Sequence, residues 1–206
     1  MKKIGFLGLG VMGLPMAKNV IKGTKQAIMG FDVAQNRLDE LKEAGGIPVK
    51  DPDEIYRSCD IIMQMLPTHA TIIHSVERAI ELGKPGNIII DCSSTAPDII
   101  QELYAKTKAA GMTLLDSPVS GGNPMAIAGT LAIMTGGDKE AFDEVLPILE
   151  SMGKPVYTGK SGSGDVTKLV NNMIAGNMLT AIAEGYAFAG MNTPNCGKSL
   201  VITCAA

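Results

Sequence analysis

The chain has 206 residues, long enough to bury a sizeable core, and 46% of them are apolar, which excludes a disordered or collagen-like chain. Lys and Arg number 18 against 21 Asp and Glu, for a formal charge of −3; no basic run exists, Trp is absent and aromatics are 4%, so neither nucleic acid nor a membrane surface is an expected partner. The cysteines Cys59, Cys92, Cys196 and Cys204 have no CxxC or zinc-ligand spacing, so no metal is expected and a reducing, cytoplasmic setting is.

The opening MKKIGFLGLG has the charge pattern of a signal peptide, but Gly5, Gly8 and Gly10 interrupt its apolar run, and it is read as a buried strand. Further apolar runs follow at 27–32, 60–66, 87–93, 112–118, 130–136 and 155–159. Those at 60–66 and 87–93 are almost continuously apolar, as in strands covered on both faces. Helical patterns are expected between them near 12–22, 35–44, 69–82, 97–110 and 138–151. Asp98 and Asp138 mark helix starts, and Gly23, Gly45, Gly83, Gly111 and Gly153 mark helix ends. Strand–helix alternation predicts an α/β, Rossmann-like, doubly wound and mostly parallel sheet. After SGSG (161–164) the rhythm changes to one long helix, about 165–190, with small and apolar residues on much of its circumference. The expected organisation is a dinucleotide-binding domain over 1–162, a long helix over 163–190 opening an all-α domain, and an atypical tail over 191–206. In that tail Pro194 and Gly197 break the helix and SLVITCAA is β-prone.

Gly8-x-Gly10-x-x-Gly13 follows the first strand and opens the first helix. Gly8 permits the tight turn, Gly10 the close approach of a pyrophosphate, and Gly13 the packing of helix on strand; the helix N-terminus then faces the phosphates. The loop Gly8, Leu9, Gly10, Val11, Met12 and Gly13 is therefore the candidate cofactor loop. Asp32 ends the second strand nineteen residues after Gly13, where a carboxylate accepts from ribose hydroxyls and repels a 2′-phosphate, so NAD is expected over NADP. Arg37 reads as a helix-surface residue.

FLGLGVMGLPMAKNV (6–20) resembles the opening signature of the β-hydroxyacid dehydrogenase family, with Met12, Met16 and Asn19 adding to the glycines. The family includes 3-hydroxyisobutyrate dehydrogenase, tartronate semialdehyde reductase and 2-(hydroxymethyl)glutarate dehydrogenase. MLP (65–67), DSPVSGG (116–122) with GTLAIMTGG (129–137), and GSGDVTKLVNN (162–172) resemble its later blocks in order. The resemblance implies NAD-dependent hydride transfer on a small carboxylate substrate, a 3-hydroxy acid or its semialdehyde. It implies Lys168 as the general acid/base with Asn172 beside it, Ser120, Gly121 and Gly122 as the substrate-carboxylate loop, and Leu66, Pro67, Thr71 and Ser93 at the cofactor. Ser94 stands where Thr is common. A desolvated lysine suits the role because burial lowers its pKa toward neutrality.

Family members continue into a helical domain that closes the cleft and forms a homo-oligomer interface, so the resemblance implies a chain lacking most of that domain. Two alternatives stay open: a catalytically silent NAD-binding fragment that associates through its exposed helix, and a related enzyme resembling 6-phosphogluconate dehydrogenase or imine reductase. His69 and His74 read as surface residues, Cys92 as buried filler, and the 13 methionines as core.

Overall fold

The computed structural model describes residues 2–192. In chain order its elements are β1 (Ile4–Leu7), α1 (Gly13–Thr24), β2 (Met29–Phe31), α2 (Gln35–Glu43), β3 (Ile47–Pro48), α3 (Asp53–Ser58), β4 (Ile61–Gln64), α4 (His69–Leu82) and β5 (Ile88–Asp91). There follow α5 (Pro97–Ala109), β6 (Thr113–Asp116), β7 (Val119–Ser120), α6 (Gly122–Ala128), β8 (Leu131–Gly136), α7 (Lys139–Glu150), β9 (Gly153–Gly159) and α8 (Ser163–Asn192).

The strands form one sheet in the order β3-β2-β1-β4-β5-β6-β8-β7, with β9 on β8. Every pairing from β3 to β6 is parallel, while β8 runs antiparallel to β6 and β7. The chain moves outward from β1 through β2 and β3, then returns to the other side of β1 with β4. That reversal opens a crevice at the carboxyl ends of β1 and β4, where ligands of doubly wound sheets bind.

Strand alternation explains the two cores. Ile61, Met63, Ile88, Ile90 and Leu115 face one side with Phe6, Met16, Val20, Val145 and Leu149. Ile62, Ile89 and Leu114 face the other with Ile55, Ile72, Val76, Ile100 and Leu103. Because both faces are covered, the central strands are continuously apolar rather than alternating. Each such side chain contributes roughly 1.5–3 kcal/mol on burial.

The seven predicted strands and five helices of the α/β region are present. β3, β7, α3 and α6 were not legible, because two-residue strands and helices of six or seven residues carry no measurable period. One expected end signal differs. Gly23 lies inside α1, packed against Ser151, and the helix ends instead at Lys25 in a left-handed conformation. Asp138 stands at the N-cap of α7 as expected, and its carboxylate accepts from Tyr104 and Lys108 of α5 rather than from the helix start.

Two compact units divide the chain between Lys168 and Leu169, so Lys168 belongs to the first. In the second, α8 continues to Asn192, and Leu169, Val170, Met173, Ile174, Met178 and Leu179 are exposed. No helix among the described residues is long and apolar enough to cross a membrane. The expectations for Pro194, Cys196, Gly197, Cys204 and SLVITCAA lie outside the described residues.

Candidate active site

The crevice is a cavity of about 800 Å³ at the ends of β1, β2 and β4. Nine of the expected cofactor residues line it: Gly8, Gly10, Val11, Met12, Gly13, Asp32, Leu66, Pro67 and Thr71. Gly8 has φ +85°, and a Cβ there would overlap the Met65 carbonyl oxygen; a Cβ at Gly13 would overlap the Gly8 carbonyl. The loop thus turns and seats α1 only as glycine. A Cβ at Gly10 would meet nothing within 4 Å, so this backbone opens onto free space inside the cavity. Open backbone at a helix N-terminus, a carboxylate at the end of β2, and apolar walls from Phe31, Val33, Pro52 and Met65 fit the phosphates, ribose and base of a dinucleotide.

Asp32 holds the loop as well as facing the cavity. Its Oδ2 accepts the Leu9 amide at 2.7 Å and its Oδ1 the Ala34 amide at 2.8 Å. Leu9 was expected at the cofactor, but its side chain is fully buried and its amide is committed to Asp32, so it supports the loop from behind. Arg37 pairs with Glu40 one turn on, at 3.0 Å. On the other wall, Thr68 and Thr71 form a reciprocal capping box that starts α4. Ser93, also expected at the cofactor, adjoins the Leu66-Pro67 turn. It is buried, and its hydroxyl accepts the Leu66 amide at 2.9 Å, so it fixes the Leu66-Pro67 turn, while Ser94 is exposed. His69 is exposed, and His74 is exposed at the cavity wall.

Ser120 ends β7, and Gly121 and Gly122 follow with φ +133° and +68° at the start of α6. Asn123 donates to the Val11 carbonyl at 2.7 Å, which ties this turn to the glycine-rich loop. Lys168 lies in the second turn of α8, half-buried, and burial lowers the pKa of its ammonium. Asn172 is four residues further along the helix, exposed, and in the second unit.

Three buried carboxylates were not singled out in the sequence. Asp91 and Asp116 stand in register at the ends of β5 and β6. Asp116 accepts the amides of Gly162, Gly164 and Asp165 at 2.9, 2.8 and 3.2 Å, capping α8 from the sheet. Asp165 accepts the Thr95 amide at 2.9 Å, and Thr95 donates its hydroxyl to Asp91 at 2.9 Å. Burial raises the pKa of all three, that of Asp165 to about 8. The available signal was a carboxylate closing an otherwise apolar strand, as in IIID and TLLD. Tyr56 and Ser75, joined at 2.8 Å on the cavity floor, carried no signal.

Residues 3–162 match the family model described as the NAD binding domain of 6-phosphogluconate dehydrogenase. Among curated relatives, the NAD-dependent L-serine dehydrogenase of Pseudomonas aeruginosa is 34% identical over 93% of this chain. A probable mitochondrial 3-hydroxyisobutyrate dehydrogenase of Dictyostelium discoideum is 37% identical over 89% of it. The chain spans 65% and 58% of the length of these two relatives. A solved Mycobacterium tuberculosis 3-hydroxyisobutyrate dehydrogenase, described with L-serine, superimposes with a TM-score of 0.88 at 34% identity, covering 93% of this chain and 66% of that one. Imine reductases at 16–19% identity share the fold alone.

Proposed function

The chain belongs to the family of the NAD-binding domain of 6-phosphogluconate dehydrogenase, and we propose that it carries the cofactor half, with the proton-transferring lysine, of a dehydrogenase acting on a small 3-hydroxy acid or its semialdehyde. The observation that carries this reading is that one compact unit holds both a cavity lined by the glycine-rich loop and Asp32 and, outside that lining, a half-buried lysine whose pKa burial lowers.

When bound, NAD supplies the hydride acceptor and NADH the donor. Gly10, Val11, Met12 and Gly13 offer backbone and the α1 N-terminus to the pyrophosphate, and Asp32 accepts from the ribose. In oxidation, the neutral Lys168 amine removes the proton from the substrate hydroxyl. In reduction, its ammonium stabilises the developing alkoxide and donates the proton. A lysine held near its ordinary pKa would be almost wholly protonated at neutral pH, and desolvation moves it toward a state able to do both. Ser120, Gly121 and Gly122 would anchor the substrate carboxylate through a hydroxyl and backbone amides, in a turn where Gly121 and Gly122 have positive φ.

An NADH fluorescence titration, followed by turnover assays with 3-hydroxyisobutyrate and with L-serine, tests the reading. Saturable binding with turnover of either substrate is expected. Binding without turnover would reduce the function to cofactor binding, and no binding would overturn it.

A further inference from the structure

Three polar groups join the loop after β5 to the first turn of α8: Asp91 at the strand end, Thr95 in the loop and Asp165 at the start of the helix. Thr95 is pinned at both ends, its hydroxyl on Asp91 and its amide on Asp165, each at 2.9 Å. Asp165 is 1% exposed, Thr95 is 2% exposed, and the second Asp165 oxygen has no partner among the described residues. A buried carboxylate with an unmet oxygen is expensive to keep. A capped helix start does not require it, because Asp116 already accepts the Gly162, Gly164 and Asp165 amides. What Asp165 adds is the cross-link to Thr95.

That cross-link bears on Lys168, which sits three residues later and hence on the same side of α8. The helix start lies close against the sheet: a Cβ at Gly164 would overlap the Met134 carbonyl oxygen and crowd the Asp116 carbonyl. Asp116 sets the depth of the helix start, and Asp165 sets its rotation against the loop that carries Ser93 and Ser94. We propose that Asp165 is a positioning residue that latches the β5–α5 loop to the first turn of α8 and thereby fixes the half-buried setting of Lys168. The proposal rests on Lys168 being the proton-transferring group. The charged groups that act on Asp165 are the Asp91 and Asp116 carboxylates from the sheet. Asp165 therefore serves best as a neutral acid, one oxygen accepting from Thr95, with no third negative charge added beside Asp91 and Asp116.

The test uses the whole chain and needs neither cofactor nor substrate, so it is separable from the proposed function. Hydrogen exchange reads the Thr95 amide, and NMR of the 13C-methylated lysine reads the Lys168 titration. Asp165→Ala is expected to lose at least tenfold protection at Thr95 and to return Lys168 toward the ordinary lysine pKa. Asp165→Asn, whose side-chain carbonyl still accepts from Thr95 and which is neutral at every pH, is expected to keep both properties. If Asp165→Ala does not fold, Asp165→Ser, one atom too short to reach Thr95, is read the same way. Unchanged Thr95 protection or an unchanged Lys168 titration in the Ala or Ser variant overturns the proposal, as does failure of Asn to rescue them.

Discussion

Asp32 and Leu9 are joined by a 2.7 Å hydrogen bond in which the Leu9 amide donates to the carboxylate. The second carboxylate oxygen accepts from Ala34 at 2.8 Å. The side chain proposed to meet the ribose is therefore also the clamp on the glycine-rich loop, and removing it removes both functions at once. Asp32→Ala is expected to weaken NADH binding at least tenfold, because hydrogen bonds to a charged group are worth about 1.5–3 kcal/mol each. Asp32→Asn, which keeps one acceptor, is expected to lose less and to discriminate less against NADPH. Fluorescence titration with both cofactors measures this; equal NADH affinity in Asp32→Ala would contradict the assignment.

Lys168→Ala is expected to abolish turnover and leave NADH affinity nearly unchanged, since the lysine lies outside the residues lining the cofactor cavity. In the unsubstituted chain, oxidation is expected to rise with pH as the ammonium gives up its proton. The midpoint falls below the ordinary lysine value because burial lowers this pKa. A pH–rate profile for kcat measures it; a midpoint at or above that of free lysine would count against Lys168 as the base.

Gly13→Ala is expected to lower Tm by several degrees without any ligand present. The added methyl meets the Gly8 carbonyl across the turn, and overpacking of this kind costs about 1–3 kcal/mol, or roughly 2–4 °C per kcal/mol in a chain of this size. Thermal melts monitored by circular dichroism decide it, and an unchanged Tm would show that the loop relaxes freely.

Asp165 gives stability a pH dependence of definite sign. Burial, reinforced by Asp91 and Asp116, pushes its carboxyl up to about 8, whereas an unfolded Asp titrates near ~3.9. Between these values the unfolded chain releases a proton that the folded chain keeps. The contribution of this group to stability therefore declines as pH rises from about 4 to about 8 and is level above that. Asp165→Asn cannot ionise, so its Tm is expected to gain on that of the unsubstituted chain between pH 5 and pH 8. Melting curves that shift in parallel would mean that Asp165 is not neutral in the fold.

The positions of most elements were legible because each strand and helix carries a local signal. Ile61, Ile62 and Met63 are apolar without interruption, and α4 and α7 repeat their apolar residues at helical spacing with glycine or Asp at their ends. The glycine-rich turn was legible for the same reason: three glycines at fixed spacing describe one local turn. The partners of Leu9 and Ser93 were not legible because adjacency in sequence does not say which way a group faces. The Leu9 amide and the Ser93 hydroxyl are each claimed by a residue on another strand or loop.

By itself the sequence determined the α/β alternation, the glycine-rich turn, the carboxylate at the end of the second strand and the change of rhythm before the long helix, all of which are properties of short contiguous segments. Only the tertiary structure decided how Asp91, Thr95, Asp116 and Asp165 meet. They come from two adjacent strand ends, a loop and a helix start up to 74 positions apart in the chain, and strand register with close approach at Gly164 brings them together. Desolvation then gives these carboxylates and Lys168 pKa values that no short segment could assign them, because burial is a property of the packed fold and not of the residue.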